Sequence, residues 1–301
     1  MIKSYWLTEN FSPYDKHSRK IKRKLVGINT KYQKIQVLDT YSLGRCLVLD
    51  QEMQSAQFDE YIYHEALVHP ALIMHKNPQE ILVMGGGEGA TLREILKHRT
   101  VKKVTMLDID KQVIDFAKKY LGVWHRGAFS DKRSNLIITD AKKYIENEDK
   151  KFDVIISDLC SPIKYGPAYQ LYTLEFYKIL KTRLKEDGIF VLQAGSANLL
   201  QIKLFSLLFS TLKRVFKEII SFYEYIPSFD VPWAFIICLN KKESLSKKEI
   251  KGRIKRRIKG NLRFYDETTH KRIFYLPKNI RTILEKEKEI ITIKKPYFFY
   301  K

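Results

Sequence analysis

The segment ILVMGGGEGATLREIL, residues 81–96, decides the fold predicted for this chain. Its apolar start predicts a buried strand, and the three glycines that follow predict a tight turn leading into a helix. Glycine at such a turn permits positive φ and close approach of the backbone to a ligand. An acid, Glu88, stands inside the turn, where it would repel a phosphate group. The turn is therefore expected to bind a nucleoside that carries positive charge.

Apolar strands alternate with amphipathic helices from about residue 61 onwards. After a first helix, YIYHEALVHPALIMH, the predicted strands are ILVMG, KVTMLDID, NLIITD, FDVIISDL and GIFVLQAG. This order is typical of βαβ units, so we predict an α/β fold with a Rossmann-like, doubly wound sheet of the class I methyltransferase type. Residues 20–60 alternate apolar and polar side chains instead, which predicts short antiparallel strands in a small N-terminal β domain.

The size and composition of the chain fit this division. With 301 residues, of which 45% are hydrophobic, it can bury the core of one large domain and a smaller partner. We predict an N-terminal β-strand domain (1–60), a Rossmann-like catalytic domain (61–240) and a basic, partly helical C-terminal extension (241–301). No segment approaches the apolar length of a membrane span or a signal peptide, so a cytoplasmic protein without a membrane partner is expected.

The three cysteines, Cys46, Cys160 and Cys238, are too few and too widely spaced to indicate a disulfide framework or a zinc cluster, and no metal is expected. The net charge is +21, and residues 241–301 contribute 20 Lys/Arg against 7 Asp/Glu. Such a tail could bind a polyanion such as RNA. We interpret it as a solvated surface and expect no nucleic-acid partner, because Ile280, Ile283 and Leu284 predict a folded helix there.

Acidic residues follow three more predicted strands, whose carboxyl ends face the ligand crevice of such a sheet. Asp108 is placed to accept hydrogen bonds from both ribose hydroxyls, whereas Asp110 is expected to cap the next helix. Asp140 could accept from an adenine amino group or cap its own helix. For Asp158, the residues alone leave a catalytic and a structural role open.

These features together predict nucleoside binding without phosphate recognition. The turn does not give the dinucleotide fingerprint in its usual G-x-G-x-x-G form, because Ala90 follows Gly89, and Glu88 disfavours a pyrophosphate there. S-adenosylmethionine and its relatives remain. If the donor has lost its carboxylate, only propylammonium and sulfonium groups are left, and Glu88 becomes an attractive partner for them.

Most of the chain resembles the polyamine aminopropyltransferases, the family of spermidine, spermine and thermospermine synthases. The similar segments are KYQKIQV (31–37), LVLDQEMQSAQFDEYIYHEALVHPALIMHKNP (47–78), GGGEGATLREILKH (85–98), LDID (107–110), FDVIISDL (152–159) and YQLYTLEFY (169–177). The segments that look closest to the thermospermine synthase branch are GGGEG in place of GGGDG, MQSAQFDEYIYHEALVHPAL (53–72), GPAYQLYT (166–173) and NLRFYDETTHKRIFYLPKNI (261–280).

The resemblance implies a reaction and its residues. Decarboxylated S-adenosylmethionine would be the co-substrate, with no permanently bound cofactor, and a small polyamine the acceptor. Asp158 and Tyr63 match the residues that deprotonate and orient the attacking amine. The positions that match donor contacts are Gln33, Gln54, His64 (where even a neutral imidazole could hydrogen-bond), Gly85, Gly87, Glu88, Asp108, Asp140 and Ala141. The residues expected at the acceptor are Ser161, Gln193, Phe229 and Asp230. A homodimer or homotetramer is implied as well.

One departure from the family concerns the acceptor. The family commonly reads D-x-x-D-P after the catalytic strand, but this chain has Ser161 in place of the second acid. The loss removes one counter-charge for the acceptor's ammonium group, so its pose and identity stay open. Phe229 likewise stands where spermidine synthases often have Tyr, and Asp230 or Glu224 could supply charge instead.

The expected function is transfer of the aminopropyl group to an amine, with release of 5′-methylthioadenosine. The resemblance favours spermidine as the acceptor, giving thermospermine. The alternatives are a spermidine synthase-type enzyme that uses putrescine or agmatine, and an S-adenosylmethionine-dependent methyltransferase on the same fold. A non-enzymatic module that binds nucleic acid or a protein partner would draw on Ser161 and the basic C-terminus.

Overall fold

A computed structural model gives the architecture of the chain. It describes residues 5–12, 14–164, 166, 168–241 and 244–299. Pro167, part of the GPAYQLYT segment, lies outside the described residues. The three cysteines are free thiols. None of the helices in the described part of the chain combines the length and the apolar character needed to span a bilayer.

Five antiparallel strands form the N-terminal sheet, which confirms the predicted β-rich start of the chain. In chain order and in sheet order they are β1 (Trp6–Asn10), β2 (Lys16–Asn29), β3 (Lys34–Thr40), β4 (Gly44–Leu49) and β5 (Glu52–Ala56). The middle strands contribute Val37 and Leu47 to a core that also contains Trp124. This shared core fixes the small sheet against the rest of the molecule.

Seven strands form the second sheet, in the order β11-β12-β10-β9-β6-β7-β8. Their ranges are β6 (Glu80–Gly85), β7 (Lys103–Asp108), β8 (Ser134–Ile138), β9 (Phe152–Asp158), β10 (Leu184–Ser196), β11 (Glu218–Ile226) and β12 (Val231–Leu239). The five predicted strands, β6 to β10, are parallel and make the sheet Rossmann-like. The last two strands were not predicted, and β12 runs antiparallel to both of its neighbours.

Helices cover both faces of this sheet, as the continuously apolar strands require. They are α1 (Glu60–Met74), α2 (Ala90–Leu96), α3 (Lys111–Tyr120), α4 (Gly122–His125), α5 (Ala141–Asn147), α6 (Leu174–Thr182), α7 (Lys203–Lys213), α8 (Lys247–Arg257), α9 (Glu267–Ile273) and α10 (Lys278–Lys286). Alternate residues of the central strands enter different cores: Leu82 lies in one and Val83 in the other. Helix α10 buries Ile280 and Leu284, which confirms the helix predicted in the tail.

The order of the strands reverses between β6 and β9, and Gly85 is paired with Asp158 at that point. Parallel strands on either side of such a reversal continue into loops that diverge to opposite faces. The crevice between these loops is the expected ligand site of the fold. It lies at the carboxyl ends of the strands, where the glycine turn and three of the predicted acids are located.

The C-terminal residues hold the far end of α1 in place. The Arg253 guanidinium donates to the carbonyl oxygens of Ile73 and Met74, both at 2.7 Å. Arg257 donates to the carbonyl oxygen of His75 at 2.8 Å. These carbonyl groups have no partner within the helix, and positive charge is favourable at a helix C-terminus. The two arginines therefore stabilise α1 from outside the catalytic crevice.

A second attachment lies at the second turn of α1. The buried Glu65 carboxylate accepts backbone N–H groups from Arg263, Phe264 and Tyr265 at 2.8–3.2 Å. The Arg263 guanidinium also stacks 3.6 Å above the ring of Tyr61. The basic extension is thus packed along the helix that carries Tyr63 and His64.

Candidate active site

The glycine turn brings three strand ends together. Gly85 has φ of +81°, and a Cβ at this position would lie 2.2 Å from the carbonyl oxygen of Asp158. A Cβ at Gly87 would lie 2.7 Å from a carboxylate oxygen of Asp108. Larger residues would therefore push the two acids away from the turn. The glycines are needed for the close approach of the strand ends as well as for space around a ligand.

Two hydroxyl groups hold Asp158 at the centre of the crevice. The Tyr63 hydroxyl donates to Oδ1 at 2.7 Å, and the Thr91 hydroxyl donates to Oδ2 at 2.6 Å. Burial raises the pKa of Asp158, and the nearby Glu88 charge raises it further, although His64 and the two hydroxyls act in the opposite direction. A raised pKa makes this carboxylate a stronger base than an exposed one. The structure therefore brings the predicted pair Asp158 and Tyr63 into direct contact.

His64 lies behind the cavity wall and has a carboxylate on each side. Its Nε2 lies 2.8 Å from Glu88 Oε1, and its Nδ1 lies 3.1 Å from Glu60 Oε2. Burial alone would lower the pKa of His64, but the hydrogen bonds and charges of the two glutamates outweigh it and raise the pKa to about 10. The raised pKa favours the protonated imidazole. His64 contacts Glu88 and holds this carboxylate at the cavity.

Three side chains meet at this point, because His64, Glu88 and Asp158 offer ligand atoms within 4.8 Å of one another. Both ring nitrogens of His64 already contact oxygen atoms of the protein. A metal ion bound here would have to displace one of these contacts and bind the neutral imidazole.

Behind His64 lies a group of ionisable side chains, most of them buried, that we term the α1–α2 ion cluster: Glu60, His64, His69, Arg93, Glu94 and Lys97. Arg93 contacts Glu60 at 2.8 Å and Glu94 at 2.7 Å. Glu94 also contacts His69 at 3.0 Å and Lys97 at 2.7 Å. Burial opposes ionisation, but His69, Arg93 and Lys97 together hold the pKa of Glu94 far below its ordinary value. Each acid of this cluster therefore has cationic partners within the protein.

The cavity in front of the cluster is acidic. Its lining contains seven carboxylate side chains: Glu9, Asp50, Glu52, Glu88, Asp108, Asp140 and Asp158. No Lys, Arg or His is among the described residues that line it. The protein as a whole carries a net charge of +21. A cavity of this composition favours a cationic ligand despite the basic exterior.

The residues predicted at the donor mostly line this cavity. They are Gln33, Gln54, Gly85, Gly87, Glu88, Asp108, Asp140 and Ala141. Burial raises the pKa of Asp108 to about 7, although a backbone N–H of Asp110 partly offsets it. Asp110 caps α3, as predicted, and also lies within hydrogen-bond distance of Gln33. Asp140 caps α5 through the N–H of Lys142 while still bordering the cavity.

Three of the four residues predicted at the acceptor line the cavity: Ser161, Gln193 and Phe229. Asp230 is not among the described lining residues, and its carboxylate is paired with Arg19 and with His17 instead. The expectation that Asp230 supplies charge to the acceptor is therefore not supported, because Arg19 of β2 already provides counter-charge to this carboxylate. Glu224 is similarly paired with Arg272.

The amide of Gln193 has a structural role. Its Nε2 donates to the carbonyl oxygen of Leu159 and to the hydroxyl of Tyr172, at 2.6 and 3.0 Å. Its Oε1 accepts from the N–H of Gly195 and the indole of Trp233, at 2.9 and 3.1 Å. All the hydrogen-bonding capacity of this amide is used within the protein. Gln193 thus fixes the loop after β9 rather than offering a free group to the acceptor.

Comparisons with known proteins agree with this site. Residues 60–249 match the sequence profile described as Spermine/spermidine synthase domain. The chain belongs to this family. Residues 5–57 match a second profile, described as Spermidine synthase tetramerisation domain. Together the two matches include both sheets of this spermine/spermidine synthase family member.

Relatives named polyamine aminopropyltransferase are similar to this family member over almost its whole length. The protein from Sulfurisphaera tokodaii is 46% identical over 298 residues, and that from Saccharolobus solfataricus is 45% identical over 295 residues; both alignments cover 98% of each chain. A spermidine synthase solved in complex with the transition state analogue AdoDATO is 28% identical, with a TM-score of 0.88 over 95% of this chain and 96% of that chain. Spermidine synthase from Thermotoga maritima is 28% identical, with a TM-score of 0.85 over 95% of each chain. This family member is an aminopropyltransferase.

Sequence reasoning missed several residues that line the cavity of this aminopropyltransferase or contact its strand-end acids. Thr91 follows the glycine turn and binds Asp158, but a threonine early in a helix carries no distinctive signal. Trp233 and Phe299 line the cavity from segments for which no strand-end position was predicted. Glu9 and Glu52 come from the N-terminal sheet, whose contribution depends on how the two sheets pack.

Proposed function

We propose that this protein transfers the aminopropyl group of decarboxylated S-adenosylmethionine to spermidine, giving thermospermine and releasing 5′-methylthioadenosine. The observation that carries the proposal is the composition of the cavity, which has seven carboxylates and no basic side chain among its described lining residues. The donor carries a sulfonium and an ammonium group, and the acceptor is a polycation. An acidic cavity stabilises both substrates, whereas it would repel anionic cofactors.

In this proposal, the strand-end residues hold the donor. The Asp108 carboxylate accepts from the two ribose hydroxyls, and Asp140 and Ala141 lie at the adenine. Glu88, held by the protonated His64, faces the ammonium of the aminopropyl group. The solved spermidine synthase that holds AdoDATO has the same fold, which supports a nucleoside of this kind in the crevice.

Asp158 and Tyr63 would act on the acceptor amine. A polyamine nitrogen has a pKa of about 10, so under about 1% of it is neutral at pH 7. Asp158 accepts the proton that frees the nitrogen lone pair, and Tyr63 keeps the carboxylate aligned. The nitrogen then attacks the carbon next to the sulfonium. The carbon–sulfur bond breaks, its electron pair returns to sulfur, and neutral methylthioadenosine leaves. The donor is already activated, so the protein contributes mainly alignment and proton transfer.

The test is a product analysis with purified protein, decarboxylated S-adenosylmethionine and a panel of putrescine, agmatine, spermidine and spermine. Mass spectrometry and chromatography should identify thermospermine from spermidine as the major product, together with methylthioadenosine. Faster transfer to putrescine or agmatine would overturn the proposed acceptor and keep the reaction. Calorimetric titration with both donors separates methyl transfer, because preferential binding of the carboxylated donor would contradict the role given to Glu88.

We further propose that the protein forms a homo-oligomer in the cytoplasm. The match of residues 5–57 to a profile described as a tetramerisation domain supports the assembly. Analytical ultracentrifugation should give a tetramer, and a single species with the mass of one chain would contradict the proposal.

A further inference from the structure

The C-terminal segment, residues 291–299, lies outside the residues that match either family profile. Its first part is fixed to helices of the catalytic sheet. The N–H of Ile291 donates to the Thr211 hydroxyl at 2.9 Å, and its carbonyl oxygen accepts from the N–H of Leu174 at 2.8 Å. The N–H of Ile293 then donates to the Glu175 carboxylate at 3.1 Å. These bonds hold the segment beside the N-terminus of α6.

The end of the segment reaches the catalytic cavity. The ring of Phe298 packs against that of Tyr169, with centroids 5.6 Å apart. The N–H of Phe299 donates to the carbonyl oxygen of Pro162 at 2.7 Å, and Phe299 lines the cavity. Pro162 directly follows Ser161, which lines the cavity as well. The segment thus contributes an aromatic residue to the wall next to Ser161.

An apolar, partly aromatic wall suits the methylene chains of a polyamine. Polyamines are ammonium groups separated by short methylene chains, so a binding site needs acids for the charges and apolar surface for the methylenes. Phe299 and Ile163 both line the cavity next to Ser161 and provide such a surface. An aromatic ring can in addition attract an ammonium group through its face.

We propose that Phe299 is a specificity-determining residue, which sets the length of amine that the cavity accepts. This inference rests on the proposed polyamine acceptor. Without the ring, the methylene chain of the acceptor loses its contact surface beside Ser161, and the wall no longer discriminates between amines of different length. The donor, which is held by the strand ends β6 to β9, is unaffected.

The experiment compares the wild type with Phe299→Ala and Phe299→Leu, using putrescine, spermidine and spermine as acceptors. For the preferred acceptor, Phe299→Ala should raise KM roughly tenfold, which is the discrimination typical of small changes in an apolar pocket. The turnover number and the KM for the donor should stay at wild-type values, and the ratio of kcat/KM between acceptors should shift. The acceptor KM of Phe299→Leu should lie between the values of the wild type and Phe299→Ala. Phe298→Ala is the matched control, because it removes the same side chain one position away, where the ring faces Tyr169.

An unchanged acceptor KM and an unchanged kcat/KM ratio in Phe299→Ala would overturn the inference. An equal effect in Phe298→Ala would also overturn it, since the segment would then act only as a structural support. If the wild type transfers to no amine, the proposed function fails by itself. Calorimetric titration of spermidine in the presence of methylthioadenosine then decides the inference. If Phe299→Ala fails to fold, the same titration is carried out with Phe299→Leu.

Discussion

The carboxylates of the α1–α2 ion cluster and those of the cavity are close neighbours with different partners. Glu60 and Glu94 contact Arg93 and histidines, and these partners lower the pKa of both acids against the effect of burial. Asp108 and Asp158 accept from backbone N–H or hydroxyl groups, and burial raises the pKa of both. The fold therefore supplies counter-charge to its structural acids, and we infer that a cationic ligand supplies it to Asp108 and Asp158.

Glu88 joins the two regions. It lines the cavity, but its carboxylate contacts the protonated His64, which also belongs to the ion cluster. Mutations in the α1–α2 ion cluster should lower the stability of the fold, whereas mutations of the cavity acids should weaken catalysis or binding. Glu88 is the position at which the two responses should be coupled.

The largest effect is expected from Arg93→Ala, which breaks the cluster. The change leaves Glu60 and Glu94 buried with fewer cations, and removing one partner of a buried ion pair typically costs about 3–5 kcal/mol. Urea denaturation of the wild type and the variant measures the loss. Arg99→Ala, which removes an exposed arginine three residues beyond α2, is the control and should change stability little. A loss for Arg93→Ala no greater than for this control would show that the cluster does not stabilise the fold.

Asp158→Asn should affect catalysis in the cavity rather than the stability of the fold. The amide cannot accept the proton of the amine, so turnover should fall roughly 100-fold or more, while donor binding stays near the wild-type value. Steady-state kinetics and calorimetry give the two numbers. Asp153→Asn changes a structural acid on the same strand, one that contacts Lys185, and should leave the turnover number unchanged. Wild-type turnover in Asp158→Asn would remove this residue from the mechanism.

Glu88→Gln tests the position that joins the two regions. A hydrogen bond to a charged group is typically worth about 1.5–3 kcal/mol, so affinity for the decarboxylated donor should fall roughly tenfold or more. Preference over the carboxylated donor should decrease in parallel, because the repelling charge is gone. Titration of both donors into both proteins measures the selectivity. Equal loss for the two donors would indicate that Glu88 only stabilises the fold.

The smallest effect is a pH dependence of donor binding through Asp108. Its pKa is about 7, so the carboxylate that accepts from ribose is lost as pH falls through 7. If only the ionised form binds, affinity should weaken about twofold from pH 8 to pH 7 and more steeply below. Asp108→Asn should bind more weakly and show no such dependence. A dependence that survives in the variant must be assigned to another group.

The strand ends could be predicted from sequence because a parallel sheet places them along one edge. Gly85, Asp108 and Asp158 were found in this way, from apolar runs that end in a glycine or an acid. The hydrogen bond from Thr91 depends on how α2 packs against the end of β9, and the contact of His64 with Glu88 depends on how α1 packs against the glycine turn. Neither packing leaves a periodic signal in the sequence. Asp230 was misassigned for a similar reason, because its partner Arg19 lies on β2, 211 residues away in sequence.

The contacts of Arg253 with α1 also set an order of events during synthesis. Arg253 and Ile73 are 180 residues apart, and α1 is translated first. At about 5–20 residues per second, roughly 10–40 s pass before the arginine is made. During this interval the last turn of α1 must remain hydrated, held by a chaperone or unwound. A chain that ends before residue 253 therefore leaves the last carbonyl groups of α1 without these arginine partners.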